Sequence, residues 1–282
     1  MNWKAFSSRL LLVAIAFPVL GLLIFLAPQL HLLPFNVAVV AACVVGALET
    51  RGLFQARGLP TTPYLAAFLA GTIPLSVWLE VAGLVPVGYA RAWIPFCMGI
   101  ILVRSILQTD AGRIDGFLIY TSGSVFVLLY PSYFLSWVVR LTALPQPSLS
   151  ILFFLCLVFG NDMAAYFAGS LWGSSTRLNI AISPQKSAVG FIAGLAGTGV
   201  VYAIFRLAVP SLLPWGVLEA TAFCCVIGIS VILGDLVESG LKRSARVKDS
   251  GIIVPGRGGL LDSVDSMLLS APLFYGLMRF IR

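Results

Sequence analysis

LSILFFLCLVFGNDMAAYFAGSLW, residues Leu149 to Trp172, decides the fold: it is an apolar run broken by a single charge, Asp162. It is long enough to cross a hydrocarbon core of roughly 30 Å as a helix. Similar stretches recur near 10–27, 34–50, 64–86, 92–109, 116–138, 149–172, 187–208, 215–240 and 260–279. Of the 282 residues 59% are hydrophobic and only 10% charged, against about 25% charged in an average soluble domain. The expected fold class is therefore all-α, a polytopic helical membrane protein with about nine transmembrane helices. Pro74 and Pro131 interrupt the third and fifth spans, so a kinked helix or two half-helices is expected at each.

Orientation follows from the basic residues, because cytoplasmic loops carry the excess of Lys and Arg. With the N-terminus cytosolic, the inner segments collect Lys4, Arg9, Arg51, Arg57, Arg104, Arg113, Arg177, Lys186, Lys242, Arg243, Arg246, Lys248 and Arg257. Only Arg91, Arg140, Arg279 and Arg282 then fall outside. The first basic-then-apolar stretch reads as a retained span, since it is long and lacks a clean small-x-small cleavage site. The chain is expected to be one continuous domain, multi-pass in the cell inner membrane. Residues 1–145 carry spans one to five, and 146–282 carry spans six to nine with a cytosolic active-site loop. The net charge of +7 is a topology signal that also attracts acidic headgroups; nucleic acid is not an expected partner. Cys43, Cys97, Cys156, Cys224 and Cys225 lie in apolar spans without metal-ligand spacing. The one histidine, His31, falls in an outer loop, which excludes a histidine-based site on the inner face.

Carboxylates inside spans are costly and mark candidate sites. Glu49 and Glu80 lie near span ends, where they can reach the interface, and Asp110 and Asp115 sit in a basic loop. Glu219 is placed to pair with Arg206. The rest gather toward the inner side: Asp162, Asp235, Glu238, Asp249, Asp262 and Asp265. Asp235, Glu238 and Lys242 share one helix face, and Asp262 and Asp265 are one turn apart. Carboxylates beside lysines and arginines are what a magnesium-nucleotide site requires, since hard oxygens hold the metal and cations hold phosphates. A juxtamembrane salt-bridge network is the bland alternative. It would not need Gly251, Gly256, Gly258 and Gly259, which let a loop backbone approach a phosphate.

Ser183-Pro184-Gln185-Lys186 predicts a helix start, with Ser183 as N-cap and Pro184 as first helical residue. Its amides and Lys186 would face an arriving anion. Asp162, Ala165, Tyr166 and Gly169 share one helix face, with Gly173 continuing a small-residue stripe. The stripe explains close packing but not Asp162, which needs a lysine or a metal as partner.

SGLKRSARVKDSGIIVPGRGGLLDSVDS, Ser239 to Ser266, resembles the signature of the phosphatidate cytidylyltransferases, or CDP-diacylglycerol synthases. That pattern reads S-x-x-K-R, four residues, K-D, then P-x-H-G-G-x-x-D-R-x-D. Ser239, Lys242, Arg243, Lys248, Asp249, Pro255, Gly258, Gly259, Asp262 and Asp265 occupy its positions. GDLVES (234–239), NDMAAYFAG (161–169) and SPQKSAVG (183–190) also look like family segments, in the family's order. Arg257 stands where the pattern has His, and Ser263 where it has Arg.

The resemblance implies an enzyme that transfers the cytidylyl group of CTP to phosphatidate, giving CDP-diacylglycerol and pyrophosphate. It implies Asp249, Asp262, Asp265 and Lys248 as catalytic residues. Ser183, Lys186, Lys242, Arg243, Arg257, Gly258 and Gly259 would bind nucleotide and phosphate. Asp235, Asp249, Asp262, Asp265 and Asp162 form the pool of ligands for Mg²⁺ or another divalent cation, with Asp162 alternatively orienting Lys186. CTP and membrane phosphatidate are the expected partners, with room for a homodimer. The two departures leave open a variant substrate, a slow enzyme or an inactive relative. A cytidylyltransferase or kinase for another lipid or polyprenol phosphate is the alternative. A secondary transporter coupled through Asp162 and Asp235 is a rival from another class.

Overall fold

A computed structural model describes residues 18–25, 29–62, 64–108, 111–254 and 258–280. The described residues form helices and no strand: α1 (18–25), α2 (Gln29–Ala56), α3 (Leu65–Val81), α4 (Tyr89–Leu107), α5 (Phe117–Arg140), α6 (Pro147–Trp172), α7 (Ala188–Ala208), α8 (Val217–Ala245) and α9 (Leu261–Phe280). Six of them, α2 and α4 to α8, are long and apolar enough to cross a bilayer. The helix α3 is shorter, at 17 residues, and α9 carries Asp262 in its first turn. Of the expected first span, residues 10–17 and 26–27 lie outside the described residues.

The helices α3 and α5 each run unbroken through their proline, so neither divides into half-helices. Close to these prolines, the Ser76 hydroxyl donates to the Ile73 carbonyl and the Ser132 hydroxyl to that of Leu128. Large side chains such as Leu107, Ile192 and Leu207 (71%, 66% and 84% exposed) face outward from these helices. Such an apolar surface suits lipid, and the chain is a multi-pass membrane protein.

Two compact units are present. One contains α2 to α5, as far as Ala143, with the segment Leu241–Ser263. Its core joins Ala47 of α2, Ala66 and Ala70 of α3, Ile101 of α4 and Leu128 of α5. Close approach requires glycine here, since a Cβ on Gly71 would lie 2.7 Å from Val44. Glu80 does not reach for the interface. It pairs with Arg140 (3.6 Å) and accepts from the Ala90 amide (2.9 Å), tying α3 to α5 and α4.

The other unit contains Leu144–Gly240 and the chain from Val264 onward. Small residues bring α6 and α7 together: a Cβ on Gly197 would lie 2.8 Å from the Gly160 carbonyl oxygen. Buried Asn161 of α6 donates to Thr198 Oγ1 of α7 (2.9 Å) and to the Gly228 carbonyl of α8 (3.3 Å). Phe153, Tyr202, Trp215, Phe223 and Phe274 form an aromatic cluster in this unit. The expected Arg206–Glu219 pair does not form. Arg206 donates instead to the Pro210 and Leu213 carbonyls, which the turn after α7 leaves without helical partners.

Candidate functional site

The segment between α8 and α9 is organised by two buried carboxylates. Asp262 Oδ2 accepts from the Ser250 amide (2.9 Å), the Ser250 hydroxyl (2.8 Å) and the Gly259 amide (2.7 Å). Its Oδ1 meets the Lys242 ammonium, which comes from the last turn of α8. From α2, Glu49 accepts from the Leu260 amide through Oε1 (2.8 Å) and from the Leu261 amide through Oε2 (2.7 Å). Val254 and Gly258 exchange two backbone hydrogen bonds, of 2.8 and 3.0 Å. Gly258 sits at φ +108°, a region that side chains disfavour.

That segment sets Asp249 beside Asp262. A Cβ on Gly258 would lie 3.1 Å from Asp249 Cγ and 2.9 Å from Asp262 Oδ2, so the bare glycine leaves room between the two carboxylates. Asp249, Lys248 and Arg243 are exposed. Asp249 makes no hydrogen bond or ion pair among the described residues. Arg257 lies outside the described residues.

In the other unit, Lys186 pairs with Asp235, and Ser239 donates to the second Asp235 oxygen (3.4 Å). The Ser266 hydroxyl of α9 lies 3.3 and 3.2 Å from the two oxygens of Asp162. Asp265 is buried and accepts from the Ser266 amide (2.6 Å). Glu238, one turn beyond Asp235, is fully buried. The helices α8 and α9 meet tightly here, since a Cβ on Gly234 would lie 2.6 Å from the Asp265 carbonyl oxygen.

The expected helix start at Ser183 is corrected. The helix α7 begins at Ala188, and its N-cap is Ser187, whose hydroxyl accepts from the Gly190 amide (3.1 Å). Ser183 lies in a turn closed by its amide to the Ile180 carbonyl (2.9 Å). The Lys186 carbonyl is taken by the Leu178 amide (2.9 Å), which holds residue 186 in extended rather than helical pairing. Lys186 thus reaches Asp235 from just before the helix. The small-residue stripe receives the cap: Cβ atoms on Gly169 and Gly173 would lie 3.5 and 2.7 Å from Ser187 Oγ.

Among the described residues no three His, Cys, Asp or Glu side chains come together as a cation-holding group. The donor set still fits Mg²⁺, which takes one or two carboxylates and keeps several waters. Asp249 and Asp262 flanking Gly258 supply such a pair of hard oxygen donors. Sequence reasoning missed Glu49, Ser250 and Ser187. The available signal for Glu49 was a carboxylate ending an apolar run.

Over residues 7–281 the chain matches the family described as the cytidylyltransferase family. It is 35% identical over 185 residues to a phosphatidate cytidylyltransferase of Bacillus subtilis (strain 168), covering 65% of this chain and 66% of the relative. It is 34% identical over 188 residues to an uncharacterised protein, YnbB, of Escherichia coli (strain K12), covering 64% and 60%. Against a phosphatidate cytidylyltransferase of Synechocystis sp. it is 42% identical over 131 residues, covering 45% and 41%. The chain thus spans under two thirds of the length of these curated relatives.

Proposed function

The chain belongs to the cytidylyltransferase family, and on that premise we propose that it transfers the cytidylyl group of CTP to phosphatidate at the cytosolic face of the cell inner membrane. A phosphatidate oxygen attacks the α-phosphorus of CTP. The new P–O bond forms as the α–β anhydride bond breaks, and its electron pair leaves with pyrophosphate, giving CDP-diacylglycerol. A phosphate monoester with a second pKa of about 6 is already largely dianionic at neutral pH, so no residue has to remove a proton. The site must align two polyanions and stabilise charge on the leaving group.

Lys186, Lys242, Arg243 and Lys248, with Ser183, Gly258 and Gly259, bind the triphosphate and the lipid phosphate. Arg257, a guanidinium where the family pattern has an imidazole, suits phosphate clamping better than proton transfer. Asp249, Asp262, Asp265, Asp235 and Asp162 are the pool of ligands for Mg²⁺ or another divalent cation. When bound, that ion supplies charge neutralisation on the phosphates and polarises the reacting phosphoryl group. Asp262 has one oxygen taken up by three protein donors, so it also holds the loop. A single chain supplies every group assigned, and the reading needs no second copy.

The observation that carries this reading is Asp249: an exposed carboxylate with no partner among the described residues, beside Gly258 and next to exposed Lys248. Curated relatives named phosphatidate cytidylyltransferase support the choice of substrates. The test is purified chain in detergent with Mg²⁺, phosphatidate and CTP labelled in the cytidine. Labelled CDP-diacylglycerol with one pyrophosphate per product is expected, and its loss on chelation. Label passing only to a different lipid phosphate would change the substrate, and label passing to none would overturn the reading.

A further inference from the structure

We propose that Glu49, on the second helix, is a positioning residue for the reaction: its carboxylate clamps the glycine loop and the first turn of α9, so that Asp249 and Asp262 keep their places. The inference rests on the function proposed above and adds a residue that lies far outside the signature segment. Glu49 is only 7% exposed, and its two oxygens accept from the amides of Leu260 and Leu261, 211 and 212 residues along the chain. Those amides belong to the start of α9, where helical geometry leaves N–H groups without intrahelical acceptors. A carboxylate at that end gains charge-assisted hydrogen bonds and a favourable interaction with the helix dipole.

One glycine of the segment is explained by this side chain, and a second in part. A Cβ on Gly251 would lie 2.5 Å from Glu49 Oε1; one on Gly259 would lie closest to Ser250 Oγ, and 2.8 Å from both Glu49 Oε2 and the Gly251 amide nitrogen. Neither glycine has a positive φ, so at Gly251 it is the carboxylate, not the backbone turn, that excludes a side chain. Ser250 lies between the two buried acids, its hydroxyl 3.4 Å from Glu49 Oε2 and 2.8 Å from Asp262 Oδ2. Ser250 on one side and Gly259 to Leu261 on the other are therefore held by these two acids, and exposed Lys248 and Asp249 directly precede Ser250. Both Glu49 oxygens face N–H donors, so glutamine would turn its amide hydrogens toward one of them and cannot replace the clamp.

The test compares wild type, Glu49→Gln, Glu49→Asp and Gly251→Ala as full chains in detergent. Hydrogen exchange is read over residues 249–262, and steady-state kinetics and Mg²⁺ dependence are read on cytidylyl transfer. In Glu49→Gln the loop amides should exchange about tenfold faster and kcat should fall at least about tenfold, with a smaller change in KM for CTP. The Mg²⁺ concentration for half activity should rise, and Glu49→Asp should recover part of both losses. Gly251→Ala keeps the acid but displaces it, and should reproduce the pattern; it decides the matter where Glu49→Gln does not fold. Unchanged loop exchange in the variants would overturn the clamp. Faster exchange with unaltered kcat and Mg²⁺ dependence would overturn its role in positioning. If wild type transfers no cytidylyl group, the function proposed above fails on its own, and loop exchange still decides the clamp.

Discussion

Two aspartates thirteen residues apart in the signature segment do different work. Asp249 is exposed and makes no hydrogen bond or ion pair among the described residues, whereas Asp262 is buried under Lys242, both donors of Ser250 and the Gly259 amide. Asp249→Asn should leave the thermal unfolding midpoint unchanged and remove several kcal/mol of transition-state stabilisation, roughly a hundredfold or more in turnover. Asp262→Asn should instead cost about 1–3 kcal/mol of stability, because it leaves buried donors unmatched. Paired thermal melts and turnover measurements on the two variants check the contrast, and equal stability losses would remove it. Both acids were legible in the sequence, because charges beside Lys242, Lys248 and the glycines stand out in an apolar chain. Glu49 was not. A single acid ending an apolar run reads as seeking the interface, and its partners are backbone amides that leave no mark on side-chain spacing.

At the level of the helix, long apolar runs announced the spans, and every described α-helix falls on one. Starts were harder. Ser-Pro at 183–184 has the composition of an N-cap and first helical residue, yet α7 waits until Ala188. Pairing of Leu178 with Lys186 and of Ala188 with Thr176 (both 2.9 Å) holds the ends of this segment side by side and leaves Ser183 in turns between them, and such pairing outweighs a local preference. Ser187 is then the hydroxyl that meets an orphan amide, that of Gly190. Ser187→Ala should lower stability by about 1 kcal/mol, whereas Ser183→Ala, which removes no cap, should leave the unfolding midpoint in place. A melting series on the two single variants reads this directly; the reverse order would return the helix start to Ser183. Pro74 and Pro131 left a kinked helix or two half-helices open in the sequence, and both helices continue through their proline.

For the molecule as a whole, composition declared a lipid-embedded chain, and the outward apolar side chains agree with it. What composition could not convey is that the segment Leu241–Ser263 packs as part of the unit of α2 to α5, because that association joins parts of the chain about 200 residues apart. Orientation is a matter of charge. Thirteen basic residues against four favour a cytosolic N-terminus, and with it a cytosolic loop after α8, since translocating Lys and Arg is costly. The 29 residues of α8 span about 43 Å as a helix, enough to hold its two ends on opposite sides of a bilayer. Exposed Ser244 lies at one end, and exposed Ser211 precedes the other. The native cysteines all sit within apolar helices, so wild type is a low-background control for a membrane-impermeant maleimide. Ser244→Cys should label in inside-out vesicles and not in right-side-out ones, and Ser211→Cys should do the opposite. Labelling of Ser244→Cys from the outer side would invert the topology and take the loop proposed to bind CTP away from the compartment that holds the nucleotide.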